Sequence, residues 1–276
     1  MNNTQQAKGE LFRKLHQRER LFVIPNPWDA GTAKMLATLG FEALATTSAG
    51  LAFSLGRADG IAAVTREETL HNARTIVQAT GLPVSADLEN GFGHQPSACA
   101  ETILLAAGIG LVGGSIEDTT GDPADPILPF ELSVERIKAA VAAARSLPFT
   151  FTLTARAENL IYGRPYLDDT IKRLQAYAEA GADVLFAPGL KTIDEVKAVI
   201  NAVAPKPVNV VMGLGNAGFT LQQLEQYGVK RVSTGSSLAR AAYGQFMRAA
   251  VEIMQDKSFG FANTTMPYAE INKLFT

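Results

Sequence analysis

Four acidic residues in the first half of the chain stand close to the ends of short apolar segments. Asp87 ends one such segment and Glu89 follows it, Glu117 follows the next, and Asp59 lies upstream of both. Carboxylates packed together raise one another's pKa, and a hard dication relieves that repulsion. Because Mg²⁺ binds one or two carboxylates directly and keeps several waters, the four acids predict a Mg²⁺ site, with Mn²⁺ as the alternative ion.

Structural roles for the same acids are the competing interpretation. Each carboxylate, taken alone, is at least as well suited to capping a helix or to pairing with Arg57 or Arg66. The four acids as a set favour metal binding, because the active sites of α/β barrels lie at the C-terminal ends of the strands.

An arginine follows a third apolar segment, with Glu158 two residues beyond it. The guanidinium of this residue, Arg156, is planar and suits a carboxylate or phosphonate through two parallel hydrogen bonds. Arg156 is therefore predicted to bind an anionic substrate. An internal ion pair with Glu158 or Glu117 is compatible with that role, since a substrate-binding arginine also needs a partner at rest.

Other candidate groups give weaker signals. The small residues 48–50 offer backbone N–H groups that suit an oxyanion. His94 follows a glycine-rich loop and is a candidate donor to a ligand. By contrast, His16 and His71 lie on predicted helices, and Cys99 opens one, so structural roles are expected for all three.

The same strand ends can be checked for two other kinds of active site, one with a Schiff-base lysine and one that binds phosphate. A Schiff-base enzyme needs a lysine at a strand end, and the nearest one, Lys191, lies in the loop after the sixth segment. Phosphate-binding barrels use the loops after strands seven and eight. Residues 213–219 and 234–237 are rich in glycine or serine there, so a phosphate ligand stays an alternative.

The elements that position these residues alternate between strand and helix. Eight short apolar segments are predicted as strands: 22–25, 43–48, 83–87, 111–116, 149–155, 184–187, 208–212 and 231–234. Helical periodicity separates them, for example over 66–80, 133–146 and 168–180, with Ser133 as the expected N-cap of the second of these. Eight such units predict a (β/α)8 TIM barrel, because a doubly wound sheet opens with a glycine-rich turn that is missing after strand one.

The two ends of the chain complete a single predicted domain, 1–276. An amphipathic segment at 6–20 is expected to close the bottom of the barrel. A helix over about 237–256 is followed by an apolar tail, 257–276, which must pack on its own barrel or on a partner subunit. The tail favours a subunit interface.

Composition excludes several classes of function. A net charge of −2 gives no general attraction to nucleic acid or to an anionic membrane. The single cysteine excludes an intrachain disulfide, and no segment has the character of a signal peptide or a membrane span. A cytoplasmic enzyme with a small-molecule substrate is expected.

Six phrases of the sequence resemble the isocitrate lyase / phosphoenolpyruvate mutase superfamily. They are Asn26-Pro27-Trp28-Asp29-Ala30, Thr47-Ser48-Ala49-Gly50-Leu51-Ala52, Leu55-Gly56-Arg57-Ala58-Asp59-Gly60, Asp87-Leu88-Glu89-Asn90-Gly91-Phe92-Gly93, Ile116-Glu117-Asp118 and Ala155-Arg156-Ala157-Glu158. They stand in order at barrel spacing, within a resemblance that runs from about residue 20 to 250. The resemblance implies a barrel whose eighth helix is exchanged between subunits, usually within a tetramer.

The resemblance also implies roles for individual residues. Asp87 resembles the direct Mg²⁺ ligand, and Arg156 resembles the arginine that binds the substrate carboxylate. The remaining roles are those of the acids that hold metal-bound waters, of the oxyanion segment and of an aromatic-acid pair at the pocket floor: Asp59, Glu89 and Glu117; Ser48, Ala49 and Gly50; Trp28 and Asp29. Glu158 is counted with the substrate-binding residues, and Ser48, Gly50, Glu117 and Arg156 with the catalytic ones.

The implied chemistry breaks or forms a C–C or P–C bond beside a 2-oxo acid, through an enolate. The segment after Glu117 departs from both well-known subgroups, since it has neither the Lys-Lys-Cys-Gly-His loop of the lyases nor the lysine of the phosphonate enzymes. A Mg²⁺-dependent lyase, decarboxylase or hydrolase of a small 2-oxo or 2-hydroxy carboxylate is expected. Phosphonate chemistry and a non-catalytic 2-oxo acid binder are the alternatives, with Tyr162, His94 and Glu158 as candidates for the general acid or base.

Overall fold

The computed structural model describes residues 3–213 and 218–275. Its eight strands are β1 (Phe22–Ile24), β2 (Leu44–Ala45), β3 (Val84–Asp87), β4 (Gly113–Glu117), β5 (Thr152–Arg156), β6 (Val184–Phe186), β7 (Val208–Val211) and β8 (Arg231–Ser233). Neighbours pair in parallel in the order β1-β8-β7-β6-β5-β4-β3-β2. Between the two edge strands, the Ala45 N–H donates to the Pro25 carbonyl at 3.1 Å.

This arrangement confirms the predicted (β/α)8 barrel, and each of the eight strands overlaps its predicted segment. The helices are α1 (Asn3–Gln17), α2 (Ala30–Thr38), α3 (Ser48–Ser54), α4 (Arg66–Ala79), α5 (Pro96–Gly108), α6 (Phe130–Ser146), α7 (Leu167–Glu179), α8 (Ile193–Val203), α9 (Leu221–Gln226), α10 (Ser237–Val251) and α11 (Tyr268–Lys273). Apolar faces of the outer helices pack on the strands and bury one large core.

Helix α1 lies across the N-terminal end of the barrel, as the sequence predicted. Its Phe12 and Leu15 are buried against the first residues of the strands, among them Phe22. Gly113 makes room for this plug, because a Cβ atom there would lie 2.8 Å from Cε1 of Phe12. The barrel is therefore closed at one end and open at the C-terminal ends of its strands.

The predicted N-cap of the sixth helix was wrong. Helix α6 begins at Phe130, one turn earlier than expected, and Ser133 lies inside it. The buried Ser133 hydroxyl donates to the Pro129 carbonyl at 3.0 Å. Serine favours N-caps but also forms this backward hydrogen bond within helices, so its type alone did not fix the helix start.

The C-terminal elements differ from the rest of the fold in their exposed apolar residues. Helix α10 continues into one π-helical turn, Glu252–Asp256, and then into a tail with a 3₁₀ turn, Gly260–Thr264. Large exposed side chains lie along this part of the chain: Phe246, Met247, Val251, Met254, Phe259, Met266 and Tyr268.

Among the described residues, no helix combines the length and apolar character that a membrane crossing requires.

Candidate active site

A cavity of about 240 Å³ lies within the barrel and reaches the C-terminal ends of the strands. Of the predicted site residues, Ser48, Ala49, Asp59, Asp87 and Arg156 line it. The others lie around or behind this cavity.

Arg156 is the centre of the cluster of charges at the cavity mouth. Its Nη1 lies 2.9 Å from Oδ1 of Asp87, its Nη2 3.1 Å from Oε2 of Glu117, and its Nε 2.8 Å from Oε1 of Glu158. The ring of Phe186 lies under the guanidinium, with 5.1 Å from Cζ to the ring centroid. The alternative pairing of the acids with Arg57 and Arg66 is not what the structure shows, because those arginines pair with Glu68 and Glu101.

Strand register explains why these side chains meet. Glu117 and Arg156 are direct partners at the ends of β4 and β5, while Asp87 of β3 pairs with Ser115 of β4. In a parallel sheet, partnered residues point to the same face, and alternate residues return to it. Three consecutive strands therefore bring their terminal charges together at one edge of the barrel.

The charges at the mouth are unbalanced in favour of carboxylates. Burial by itself lowers the pKa of Arg156, but the charges of Glu158, Glu117 and Asp87 raise it well above its usual value. Burial, followed by the charges of Asp87, Glu117 and Asp59, raises the pKa of Glu89 to about 8. One arginine thus faces a group of acids whose negative potential already makes ionisation of a further carboxylate unfavourable.

Backbone strain marks the loop that follows β3. The strand ends at Asp87, and Glu89 adopts a left-handed conformation with φ +46°. Strand alternation therefore does not determine the direction of the Glu89 side chain. Buried Arg136 of α6 donates to the carbonyls of Asn90 and Gly93 and so fixes the loop from behind. Such strain persists only where the surroundings hold it, which is typical of functional sites.

The predicted oxyanion segment is the first turn of α3. Thr47 caps this helix by accepting the Gly50 N–H at 3.2 Å, and the Ser48 N–H points to Oδ2 of Asp87 at 3.4 Å. Ser48 and Ala49 line the cavity, whereas Gly50 is buried behind them. A Cβ atom on Gly50 would lie 2.6 Å from Cγ2 of Thr47, so this position requires glycine for close packing.

The predicted aromatic-acid pair lies beside the cavity rather than along its wall. Asp29 is the N-cap of α2 and accepts from Thr32 N at 2.6 Å. The ring of Trp28 is 6.4 Å from that of Tyr243 in α10.

His94 is exposed and contacts the carbonyl of Thr120 at 3.1 Å, which joins its loop to the segment after β4.

The acidic side chains at the mouth are arranged to give a metal ion one direct carboxylate ligand. Within residues 3–213 and 218–275, no three Asp, Glu, His or Cys side chains converge closely enough to hold a metal ion together. The carboxylate of Asp87 lines the cavity, and Asp59 and Glu117 are close enough for their charges to interact with it. That arrangement suits an ion such as Mg²⁺, which keeps several waters between itself and most of its surrounding acids.

A buried network behind the mouth was not predicted from the sequence. Asp118 binds Nη1 of Arg173 at 3.0 Å and accepts from the Tyr177 hydroxyl at 2.8 Å. It also accepts the Glu158 N–H at 2.9 Å and so fixes the residue that pairs with Arg156. The pair Glu117-Asp118 is the sequence feature that could have indicated this network. Neighbouring residues on a strand point to opposite sides, so the two acids face different surroundings.

The segment 119–130 forms an ordered loop beside the mouth. Thr119 and Ile127 form an antiparallel bridge, and the Leu128 N–H donates to the Asp118 carbonyl at 2.9 Å. The Thr119 hydroxyl donates to Oε1 of Glu117 at 2.7 Å. Of the predicted phosphate loops, 234–237 is described and borders the cavity through Gly235 and Ser236, while most of 213–219 lies outside the described residues.

Comparison with known proteins agrees with the fold. The family model for phosphoenolpyruvate phosphomutase matches residues 12–254. The chain belongs to this family. A 2-methylisocitrate lyase of Escherichia coli K12 is 31% identical over 205 residues, which cover 71% of this chain and 67% of the lyase.

Three solved structures of the same superfamily resemble the whole chain. A Burkholderia cenocepacia J2315 protein with a provisional designation as a lyase/mutase is 57% identical, with TM-score 0.96 and coverage of 100% and 98% of the two chains. An oxaloacetate acetylhydrolase in complex with oxalate is 26% identical, with TM-score 0.86 and coverage of 97% and 93%. A phosphonopyruvate hydrolase with oxalate and Mg²⁺ is 25% identical, with TM-score 0.85 and coverage of 97% and 94%.

The Asp118 network generates a test of stability with a matched control. Asp118→Asn leaves Arg173 buried without its buried carboxylate, and we expect the free energy of unfolding to fall by about 3–5 kcal/mol. Asp169→Asn removes the other carboxylate on the same arginine, but its side chain is 42% exposed. That control is expected to cost about 0–1 kcal/mol in urea unfolding. Equal losses in the two variants would contradict the role given to Asp118.

Proposed function

We propose that this protein is a Mg²⁺-dependent enzyme that cleaves a C–C bond in a small 2-oxo or 2-hydroxy carboxylate through an enolate, as a lyase, decarboxylase or hydrolase. The observation that carries the proposal is the position of Arg156 among Asp87, Glu117 and Glu158 at the mouth of the cavity. Members of its superfamily, such as the oxaloacetate acetylhydrolase with bound oxalate, act on acids of this kind.

Arg156 is proposed to bind the substrate carboxylate. Its guanidinium is held by three carboxylates, so its orientation is set before a substrate arrives. A substrate anion exchanges places with one of these partners and meets a planar pair of N–H donors. Glu158 stays behind the guanidinium, because its side chain is almost fully buried and its backbone is fixed by Asp118.

Asp87 is proposed to hold Mg²⁺ directly, with Asp59, Glu89 and Glu117 acting through water. The excess of carboxylates over the single arginine supports a dication here, as does the raised pKa of Glu89. When bound, Mg²⁺ supplies positive charge that stabilises the developing enolate oxygen. The Ser48 N–H, which lies 3.4 Å from Oδ2 of Asp87, is proposed to donate a hydrogen bond to the same oxygen.

Tyr162 is the candidate that best suits the role of proton donor. Its side chain is half-buried beside Gly60, close enough to be influenced by Glu117, Glu158 and Asp59. Burial and those charges raise the pKa of Tyr162 above its usual value, so the hydroxyl stays protonated at neutral pH. A protonated hydroxyl can donate a proton to an enolate carbon but cannot act as a base at rest, and the raised pKa makes it a weaker acid than an ordinary tyrosine.

The apolar C-terminal part is proposed to form a subunit interface by exchange of α10 between subunits. Phe246, Met254 and Phe259 are each about two-thirds exposed, which is unusual for large apolar side chains clustered in one region. Light scattering on the purified protein is expected to report a homo-oligomer, a tetramer or a dimer. A monomer mass at micromolar concentration would contradict this proposal.

Turnover tests the enzyme directly. Purified protein with Mg²⁺ is incubated with oxaloacetate, 2-methylisocitrate, isocitrate, dimethylmalate and phosphonopyruvate, and products are followed by NMR. We expect turnover of a carbon-only acid that stops on EDTA treatment. Asp87→Ala is expected to abolish both turnover and Mg²⁺ binding, and Tyr162→Phe to lower kcat more than it raises KM.

Asp194→Ala is the control variant for Mg²⁺ binding. Asp194→Ala removes one negative charge from a side chain that is 94% exposed, and it should bind Mg²⁺ as the wild type does. Unchanged Mg²⁺ affinity in Asp87→Ala would refute the metal site. Turnover of phosphonopyruvate alone would identify a P–C enzyme instead. Oxalate binding without any turnover would indicate a 2-oxo acid binder.

A further inference from the structure

A buried arginine with no carboxylate partner lies inside the barrel below the proposed active site. Arg231, the first residue of β8, is 6% exposed and lines the same cavity as Asp87 and Arg156. Throughout residues 3–213 and 218–275, no carboxylate comes within 4.0 Å of its guanidinium. A buried charge without a partner is costly, so its presence requires an explanation.

The hydrogen bonds of Arg231 go to neutral groups. Its Nε donates to Oδ1 of Asn209 at 2.9 Å, its Nη2 to the Thr154 hydroxyl at 3.0 Å, and its Nη1 lies 3.3 Å from Nε2 of His16. Nδ1 of His16 lies 2.8 Å from the Phe12 carbonyl, so a neutral imidazole with its proton on Nδ1 satisfies both contacts. Three of the five guanidinium N–H groups are thus engaged in the described part of the chain, and two are free.

The charge of Arg231 persists at neutral pH. Burial, followed by the positive charge of Arg156, lowers its pKa to about 9. Burial and Arg231 in turn lower the pKa of His16 to about 3, so the imidazole adds no compensating charge. The floor of the cavity is therefore cationic.

Several polar side chains lie among the apolar ones in the wall between Arg231 and the mouth. Barrel interiors are usually filled by Val, Ile and Leu, but here hydroxyl and amide side chains line the cavity: Ser85, Ser115, Thr154, Asn209 and Ser233. Thr154, which binds Arg231, stands two residues before Arg156 on β5, so the two arginines are separated by about 7 Å along the strand direction. Both ends of the cavity therefore offer a guanidinium.

We propose that Arg231, oriented by Asn209 and Thr154, forms a second anion subsite that receives the distal carboxylate of a dicarboxylate substrate. This assignment rests on the proposed function, which places the 2-oxo acid end of the substrate at Asp87 and Arg156. The bound carboxylate supplies the counter-ion that the fold lacks. Arg231 then determines specificity, because a monocarboxylic oxo acid leaves its guanidinium unpaired.

Two ligands and one variant separate the subsites. Isothermal titration with Mg²⁺ compares oxalate, which occupies the mouth alone, with 3,3-difluorooxaloacetate, which carries a distal carboxylate. Arg231→Gln is expected to bind oxalate within twofold of the wild type and to bind 3,3-difluorooxaloacetate at least about tenfold more weakly, since it loses a charge-assisted hydrogen bond. Arg145→Gln, at the N-terminal face, is the control and should match the wild type for both ligands.

A second variant tests the subsite independently, in case Arg231→Gln does not fold. Asn209→Asp conserves the shape of the side chain and places an internal carboxylate against Nε of Arg231, so it should weaken 3,3-difluorooxaloacetate by the same factor while oxalate binding persists. Wild-type affinity for 3,3-difluorooxaloacetate in both folded variants would overturn the subsite. Equal loss of both ligands in Asn209→Asp would also overturn it, since that result indicates a general defect.

A wrong proposed function and a wrong anion subsite give different results. If the wild type shows no Mg²⁺-dependent oxalate binding, the proposal for the mouth is refuted. The anion subsite is then tested separately by measuring the binding of succinate in the presence of EDTA. Binding by the wild type and not by Arg231→Gln would retain the anion subsite, and binding by neither would overturn it.

Discussion

The ion-pair cluster around Arg156 is the interaction on which the site depends. Parallel register sets Glu117 beside Arg156, and the next strand brings Asp87 to the same edge. The arginine and its acids satisfy one another in a region where isolated charges would be expensive. Because the acids outnumber the arginine, the cluster keeps a negative potential, and this potential is the physical basis for inferring a dication.

The support for this cluster comes from the outer helices. Arg136 of α6 holds the strained loop that carries Glu89, and Arg173 of α7 holds Asp118, which fixes the backbone of Glu158. Each of these arginines is buried and reaches from a helix to a strand end. The geometry of the mouth therefore depends on contacts made by the helices behind the barrel wall.

Much of the fold was predictable because hydrophobic periodicity is a local signal. All eight strands overlap the predicted segments, and the acids at the ends of β3 and β4 were recognised from their positions in the sequence. What the sequence could not give were contacts between distant elements. Asp118 meets Arg173 and Tyr177 from 55 and 59 residues away. Nothing in the local pattern of β8 distinguished Arg231 as a residue that points into the barrel. The first turn of α3 was interpreted as the end of a strand and the loop after it.

The role of Arg156 is tested most directly by the affinity for oxalate in the presence of Mg²⁺, measured for the wild type and for Arg156→Lys. Lysine keeps the positive charge but cannot form two parallel hydrogen bonds to a carboxylate. Arg164→Lys is a matched control on the following loop, where the arginine pairs with exposed Asp125. If Arg156 binds the substrate carboxylate, we expect at least about tenfold weaker oxalate binding for Arg156→Lys and wild-type affinity for the control. Wild-type oxalate affinity in folded Arg156→Lys would contradict the assignment of Arg156 as the group that binds the substrate carboxylate.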